Sequence, residues 1–271
     1  MRKNKNWILR LLKWTGIIIF LLYTTACAIL YKYQTKILFQ PTKTPQNTQY
    51  YHNNYEEIFL EPEKGIRLHT VLFRTNKTPK GVVVFLHGNA GSIYSWAKKS
   101  KIYNQMGYDV WMPDYRGYGK SNGVIQSEKQ LHRDMQFFFD RVTEKYAWDK
   151  INIVGYSMGT GLATVLAANN KVRFLILLTP YYGMNYLVAG KTHIVPGFLL
   201  KYPIKTYEYI QQVKAPIFIF HGRQDKIIPF NQGMKLKALL KKGDQFYPLD
   251  HQGHLGIQSH PDFISYIQQI L

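Results

Sequence analysis

A serine between two glycines, in the segment Gly155-Tyr156-Ser157-Met158-Gly159, is the part of this sequence with the clearest chemical meaning. An apolar run precedes it at 151–154, and a run of small and apolar residues follows it at 161–168. This pattern predicts a tight strand-to-helix turn, in which the residues two before and two after the serine must be small. Such a turn strains the serine backbone and leaves its hydroxyl exposed at the start of the helix. We therefore interpret Ser157 as a nucleophile.

A serine hydroxyl attacks poorly until a base removes its proton, so a histidine and an acid that orients it are expected. Two histidines, His251 and His254, follow the predicted last strand, and both are candidates for the base. Asp225 lies just past the buried apolar run 216–220 and is the predicted acid. The H-x-x-H spacing also matches a pair of metal ligands, but no H-E-x-x-H motif or cysteine cluster completes a metal site. No metal or cofactor is expected.

The loop His87-Gly88-Asn89-Ala90-Gly91-Ser92 follows another buried run, at 82–86. Its glycines would allow the backbone to approach a substrate closely, and a backbone N–H would point at a developing negative charge. The predicted oxyanion donors are the backbone N–H groups of Asn89 and of Met158, which follows the nucleophile. The order Ser, Asp, His along the chain is that of α/β-hydrolases and differs from the chymotrypsin-like and subtilisin-like orders.

These segments, together with D-Y-R-G-Y-G-K-S at 114–121 and H-G-R-Q-D-K-I-I-P at 221–229, resemble the α/β-hydrolase superfamily. More narrowly, the chain looks like the membrane-anchored serine hydrolases related to eukaryotic protein depalmitoylases and to many bacterial hydrolases. The resemblance runs from about Tyr55 to the C-terminus. It implies an α/β-hydrolase fold, and it favours His254 over His251 as the base, because a glycine also precedes the catalytic histidine of similar enzymes.

The alternation of strand and helix patterns predicts a mostly parallel sheet covered by helices on both faces. Buried strands are predicted at 82–86, 109–113, 151–155, 174–179 and 216–220, with a last strand near 246–249, and helices are predicted at 126–146 and from Pro261. Residues 181–213 interrupt this alternation and are rich in tyrosine. They are interpreted as a short lid-like insertion, and a surface excursion packed on the body is the alternative.

The uncharged run 14–31 is 18 residues long. As a helix it would span roughly 27 Å, close to the ~30 Å hydrocarbon core of a bilayer. Five basic residues precede it and only Lys32 and Lys36 follow shortly after, which predicts a cytoplasmic N-terminus and an extracytoplasmic catalytic domain, periplasmic in a bacterium. The predicted organisation is a basic tail at 1–13, a transmembrane signal-anchor helix at 14–33, a connector at 34–54 and an α/β-hydrolase domain at 55–271. Cleavage as a secretory signal, or lipidation at Cys27, the single cysteine, are the alternatives.

The formal net charge of +19 persists beyond the anchor, since 28 basic and 16 acidic residues follow residue 36. A basic domain beside a bilayer is attracted to anionic headgroups, although a solvated lysine-rich surface has the same composition. Nucleic acid is not an expected partner, because no basic run interleaved with aromatic residues occurs in the folded part. The resemblance implies a serine hydrolase that acts on esters or thioesters of hydrophobic acyl groups. Amide or peptide hydrolysis by the same triad, or a non-catalytic interaction protein on the same scaffold, are the alternatives.

Overall fold

A computed structural model describes residues 3–50, 54–191 and 196–271. The strands are, in chain order, β1 (Gln40–Pro41), β2 (Tyr55–Glu63), β3 (Ile66–Phe73), β4 (Val82–Leu86), β5 (Ala90–Gly91), β6 (Asp109–Pro113), β7 (Ile151–Tyr156), β8 (Phe174–Leu178), β9 (Ile217–Gly222) and β10 (Gln245–Leu249). The α-helices are α1 (Lys3–Leu38), α2 (Ile93–Trp96), α3 (Lys101–Gln105), α4 (Glu128–Lys145), α5 (Gly159–Asn169), α6 (Met184–Lys191), α7 (Thr206–Tyr209), α8 (Phe230–Lys237) and α9 (Pro261–Ile270).

Eight strands form one sheet in the order β10-β9-β8-β7-β4-β6-β3-β2. The pairs β2–β3 and β3–β6 are antiparallel, and the remaining neighbours, from β6 to β10, are parallel. Helical crossovers between parallel strands bring their carboxyl ends to one edge of the sheet, where α/β proteins hold their ligands. The predicted fold class, an α/β-hydrolase sheet with helices on both faces, is confirmed, and each predicted strand agrees with the structure to within about two residues.

Two apolar cores lie on opposite faces of the sheet, because successive side chains of a strand point to opposite sides. Strand β4 shows this directly: Val82, Val84 and Leu86 belong to one core, whereas Val83 and Phe85 belong to the other. Helices α4, α5 and α8 contribute to the first core, and α3 and α9 to the second. The fully buried strands explain the uninterrupted apolar runs in the sequence.

Helix α1 is the feature that departs most from the predicted organisation. Within it, Trp7–Leu38 is long and apolar enough to cross a membrane, judged by length and composition. The helix does not end at residue 33 but continues to Leu38, into the predicted connector, and β1 then pairs with β5. Residues 1–2 of the predicted tail, 51–53 of the connector and 192–195 of the insertion lie outside the described residues.

Candidate active site

Ser157 sits in the sharp turn between β7 and α5, with a left-handed backbone (φ 53°). Its N–H donates to the carbonyl of Leu178 on the neighbouring strand at 2.9 Å. The flanking glycines are required by space. A Cβ on Gly155 would lie 2.7 Å from the Cβ of Ala163, and one on Gly159 would lie 2.1 Å from the carbonyl oxygen of Leu86. The G-x-S-x-G spacing is therefore fixed by packing, and the strained turn lifts the serine to the edge of the sheet.

His254 is the histidine that the structure brings to the serine. Its Nε2 lies 2.9 Å from Ser157 Oγ, and its Nδ1 lies 2.8 Å from Asp225 Oδ2. The hydroxyl of Tyr156 donates to the backbone carbonyl of His254 at 2.7 Å. Because Tyr156 immediately precedes the nucleophile, one strand end positions both the serine and the loop that carries the histidine.

His251, the rival candidate, is exposed on the same loop and also has a left-handed backbone (φ 57°). In the described part of the chain it makes no hydrogen bond to Ser157 or Asp225. Among the described residues, no group of three or more His, Cys, Asp or Glu side chains is placed to hold a metal ion. The H-x-x-H spacing therefore does not coincide with a cluster of ligands there.

Asp225 follows β9 and is buried with its carboxylate fully paired. Oδ1 accepts hydrogen bonds from the backbone N–H groups of Ile227 (2.9 Å) and Ile228 (2.8 Å), while Oδ2 faces His254. Burial alone would raise the pKa of Asp225, but interactions with His221, His254 and the Ile228 N–H outweigh it and lower that pKa below its usual range. The ionised carboxylate therefore stabilises the folded state above the ordinary pKa of an aspartate, and this stabilisation is lost as the pH falls through the lowered folded-state pKa.

His221 supports this acid without facing the nucleophile. Its Nε2 donates to the carbonyl of Ile228 at 2.9 Å and lies 3.5 Å from Asp225 Oδ2, and the ring is fully buried. A Cβ on Gly233 of α8 would lie 2.4 Å from His221 Nδ1, so the helix packs directly on the ring. These contacts hold His221 between Asp225 and α8, where the ring supports the loop that carries the acid.

The glycine-rich loop after β4 lies beside the nucleophile. A Cβ on Gly88 would be 3.6 Å from the Ser157 Cβ. The backbone N–H groups of Asn89 and Met158, the two predicted oxyanion donors, have no hydrogen-bond acceptor among the described residues. Two free amides beside a serine hydroxyl are what an oxyanion site requires.

Two tyrosines, which sequence reasoning did not connect with the site, hold this loop in place. The Tyr115 hydroxyl donates to the His87 carbonyl at 2.8 Å, and the Tyr118 hydroxyl donates to the Asn89 carbonyl at 2.6 Å. Both belong to D-Y-R-G-Y-G-K-S, and the pattern of the motif carries no signal for where these hydroxyls point. The motif therefore acts through packing and hydrogen bonds behind the oxyanion loop.

The charged residues of the same motif form buried ion pairs away from Ser157. Asp114 accepts a hydrogen bond from the Ile93 N–H at 2.8 Å and lies 3.1 Å from His69 Nδ1. Burial alone would raise the pKa of Asp114, but hydrogen bonds from His69 and His87 lower it overall. The two cations of the motif are paired as well: Arg116 contacts Asp134 and Glu63, and Lys120 contacts Glu57. These contacts give Asp114, Arg116 and Lys120 a structural role.

A cavity of about 340 Å³ opens beside Ser157. Asn89, Ser157 and Met158 are among the residues that line it. The segment predicted to be a lid supplies one apolar wall: Met184, Leu187, Val188, Leu199, Leu200 and Tyr202. A second wall comes from the C-terminal part of α1, a contribution that sequence reasoning missed. The signal was present as apolar or small residues at 27, 30, 31, 37 and 38, which share one face of a helix with Gln34.

Comparisons with known proteins agree with this fold. A sequence model described as the alpha/beta hydrolase fold matches residues 81–193. The chain is 28% identical over 230 residues to the alpha/beta hydrolase domain-containing protein WAV2 of Arabidopsis thaliana, covering 74% of each protein. It is also 28% identical over 228 residues to the lysophosphatidylserine lipase ABHD12 of Danio rerio, covering 69% of this chain but 59% of that relative.

Among solved structures, the Pyrococcus furiosus esterase Pf2001 superposes with a TM-score of 0.69 at 18% identity, covering 86% of this chain and 98% of the esterase. At that identity the likeness concerns the fold. The chain is a member of the α/β-hydrolase superfamily.

Proposed function

We propose that this protein is a membrane-anchored serine hydrolase that cleaves carboxylic esters or thioesters of hydrophobic acyl groups. The observation that carries the proposal is the hydrogen-bonded series Ser157–His254–Asp225, with 2.9 and 2.8 Å between successive partners, whose serine lines an apolar cavity. The three side chains are largely shielded from water, which strengthens the electrostatic interactions among them.

In this proposal, Ser157 Oγ attacks the substrate carbonyl carbon while His254 Nε2 takes the hydroxyl proton. The negative charge that forms on the carbonyl oxygen is bound by the backbone N–H groups of Asn89 and Met158. His254 then gives its proton to the departing alcohol or thiol, and the carbonyl re-forms as an acyl-enzyme. Water, deprotonated by His254, releases the acid and restores the serine. Asp225 remains ionised throughout and holds the imidazole in the tautomer that this sequence requires.

The hydrophobic acyl group is inferred from the walls of the cavity, which are mainly aliphatic and aromatic. The relationship to a protein named as a lysophosphatidylserine lipase supports a lipid ester as substrate. Esters and thioesters are favoured over amides because an alcohol or a thiol is a better leaving group than an amine. Its departure therefore needs less assistance from the enzyme.

The test is labelling of the full-length protein in detergent by a fluorophosphonate, together with turnover of a matched ester, thioester and amide of decanoic acid. We expect labelling and ester or thioester turnover by the wild type, and neither by Ser157→Ala. His260, a partly buried histidine that caps α9, offers a control: His260→Ala should retain labelling. Labelling that persists in Ser157→Ala would contradict the assignment of the nucleophile, and turnover of the amide alone would replace the ester proposal with an amidase.

We further propose that α1 crosses the membrane with its N-terminus in the cytoplasm and the catalytic domain on the other side. The apolar length of the helix and the basic residues that precede the uncharged run support this orientation. The protein should resist carbonate extraction, and a reporter fused after Leu271 should be active only outside the cytoplasm. A cytoplasmic reporter would reverse the orientation, and a mature chain that starts at a lipidated Cys27 would replace the spanning helix with a lipid anchor.

A further inference from the structure

One face of α1 lies directly against the candidate active site. Cys27, Leu30, Tyr31, Gln34 and Ile37 recur at three- and four-residue intervals and line the same cavity as Ser157. The intervals are those of a single helical stripe. The remainder of the helix, from residue 7 to residue 26, is mostly exposed, with side chains such as Leu22 at 65%. The helix is therefore a membrane candidate along most of its length and a wall of the site at its C-terminal end.

Direct hydrogen bonds hold this end of α1 on the insertion. The Gln34 side chain donates to the Leu199 carbonyl at 2.6 Å and accepts from the Lys201 N–H at 2.8 Å. The next residue of α1 makes a second contact with the insertion, because the hydroxyls of Thr35 and Tyr202 lie 2.9 Å apart. Bonds that use both the donor and the acceptor of an amide fix the relative position of two segments, so α1 and the insertion form one cleft.

The dimensions of α1 place this cleft at the bilayer surface. A helix of 36 residues is roughly 54 Å long, whereas the hydrocarbon core is ~30 Å thick, so one end must project beyond it. The uncharged run ends at Tyr31, within the stripe that lines the cavity. Phe198, next to Leu199 at the rim of the cleft, is 85% exposed. An exposed phenylalanine beside a membrane helix is stabilised by insertion into the interface.

We propose that the substrate is a single-chain amphiphile taken directly from the bilayer, whose acyl chain lies along the Cys27–Ile37 stripe of α1 with its carbonyl at Ser157. This rests on the proposed serine hydrolase function and specifies its substrate and the route of entry. A volume of about 340 Å³ corresponds to roughly ten water-sized groups, which is enough for one acyl chain of about ten carbons. Leu30 and Ile37 are then specificity-determining residues supplied by the membrane helix itself.

The first test compares two tryptophan substitutions on adjacent positions of α1. Leu30→Trp would fill the cavity, whereas Ile29, which is 53% exposed, is not among the cavity-lining residues, so Ile29→Trp is the matched control. The full-length proteins are reconstituted in phosphatidylcholine vesicles and supplied with p-nitrophenyl acetate or p-nitrophenyl decanoate. Leu30→Trp should lower the ratio of kcat/KM for the decanoate to kcat/KM for the acetate about tenfold, as expected for displacing about two methylenes. Ile29→Trp should leave that ratio unchanged.

Turnover of the acetate ester distinguishes a failure of the α1 acyl-site proposal from a failure of the serine hydrolase proposal. A wild type that hydrolyses acetate while Leu30→Trp leaves the decanoate-to-acetate ratio unchanged would overturn the α1 site and leave the hydrolase intact. A wild type that hydrolyses neither ester would overturn the hydrolase proposal, and with it the substrate site.

The second test locates the acyl chain without turnover. Cys27 is the single cysteine of the chain and lines the cavity, so a thiol-reactive maleimide reports on its access. Prior reaction of Ser157 with a decyl fluorophosphonate should slow alkylation of Cys27 at least severalfold, whereas an ethyl fluorophosphonate should not. Equal alkylation rates after the two treatments would place the chain elsewhere and overturn the proposed route.

Discussion

The two halves of the candidate site are built on different principles. The chemical half consists of Ser157, Asp225 and His254, which are 8%, 6% and 8% exposed and sit on loops at strand ends. Backbone geometry and close packing fix them. The acyl half consists of α1 and the insertion, whose side chains at the cavity are apolar and partly exposed, such as Leu30 at 38%. The acyl half is held together by a few hydrogen bonds between the C-terminal end of α1 and the insertion. In the proposed function, the strand ends of the sheet position the reacting groups, whereas α1 and the insertion determine which acyl group binds.

The sharpest way to test the chemical half is to compare its two histidines. His254→Ala should lower kcat by about 10⁶-fold for short and long esters alike, because the base acts in every turnover. His251→Ala should stay within about threefold of the wild type, since that side chain is exposed and remote from the series of hydrogen bonds. Steady-state kinetics on p-nitrophenyl acetate measures both, and a reversal of the two effects would assign the base to His251.

Replacing Asp225 by Asn should cost somewhat less, about 10⁴-fold in kcat, because the amide keeps the shape but favours the wrong tautomer of His254. Fluorophosphonate labelling of Ser157 should slow in parallel. Asp250, an exposed aspartate whose carboxylate pairs with Arg223, provides the control, and Asp250→Asn should leave the kinetics unchanged. Full activity of Asp225→Asn would remove the acid from the proposed triad.

Alanine substitutions at two glycines, one in each half, measure how tightly each half is packed. An alanine at Gly159 would place its Cβ 2.1 Å from the Leu86 carbonyl oxygen, whereas a Cβ at Gly197 in the insertion meets no atom within 4 Å. Gly159→Ala should lower the free energy of unfolding by about 3 kcal/mol, and Gly197→Ala should change it by less than about 0.5 kcal/mol. Thermal unfolding in detergent measures both. Equal effects would mean that the elbow is no more tightly constrained than the insertion.

The smallest predicted effect concerns Asn89, which belongs to both halves. Its amide side chain donates to the Leu38 carbonyl at 3.0 Å, at the end of α1, and the residue also lines the cavity beside Ser157. Asn89→Ala removes one hydrogen bond and should lower acetate turnover about fivefold through the displaced loop. Gln34→Ala, which loosens only the insertion, should slow decanoate and spare acetate. If Asn89→Ala also spared acetate, the oxyanion loop would not depend on the anchor.

Local signals in the sequence were enough for the chemical half. The glycine spacing around Ser157 and the apolar run of β4 are properties of a few neighbouring residues, and both predicted the structure closely. The cleft was different, because Gln34 and Leu199 are 165 residues apart and no local pattern joins them. The stripe on α1 is visible in the sequence as an apolar pattern, but the pattern does not reveal which neighbour the stripe faces. Lipid and an acyl cavity are both apolar, so the same side chains suit either neighbour.

The short pairing of β1 with β5 has a consequence for the order in which α1 and the loop after β4 fold during biosynthesis. Gln40 pairs with Ala90, and Pro41 with Gly91, so the segment that leaves α1 and the loop after β4 form one ladder across about fifty residues of chain. Synthesis proceeds from the N-terminus, and α1 is complete before the loop exists. In the proposed topology, the loop docks on a strand whose position the inserted helix has already set. Membrane insertion of α1 would then precede the ordering of the loop after β4.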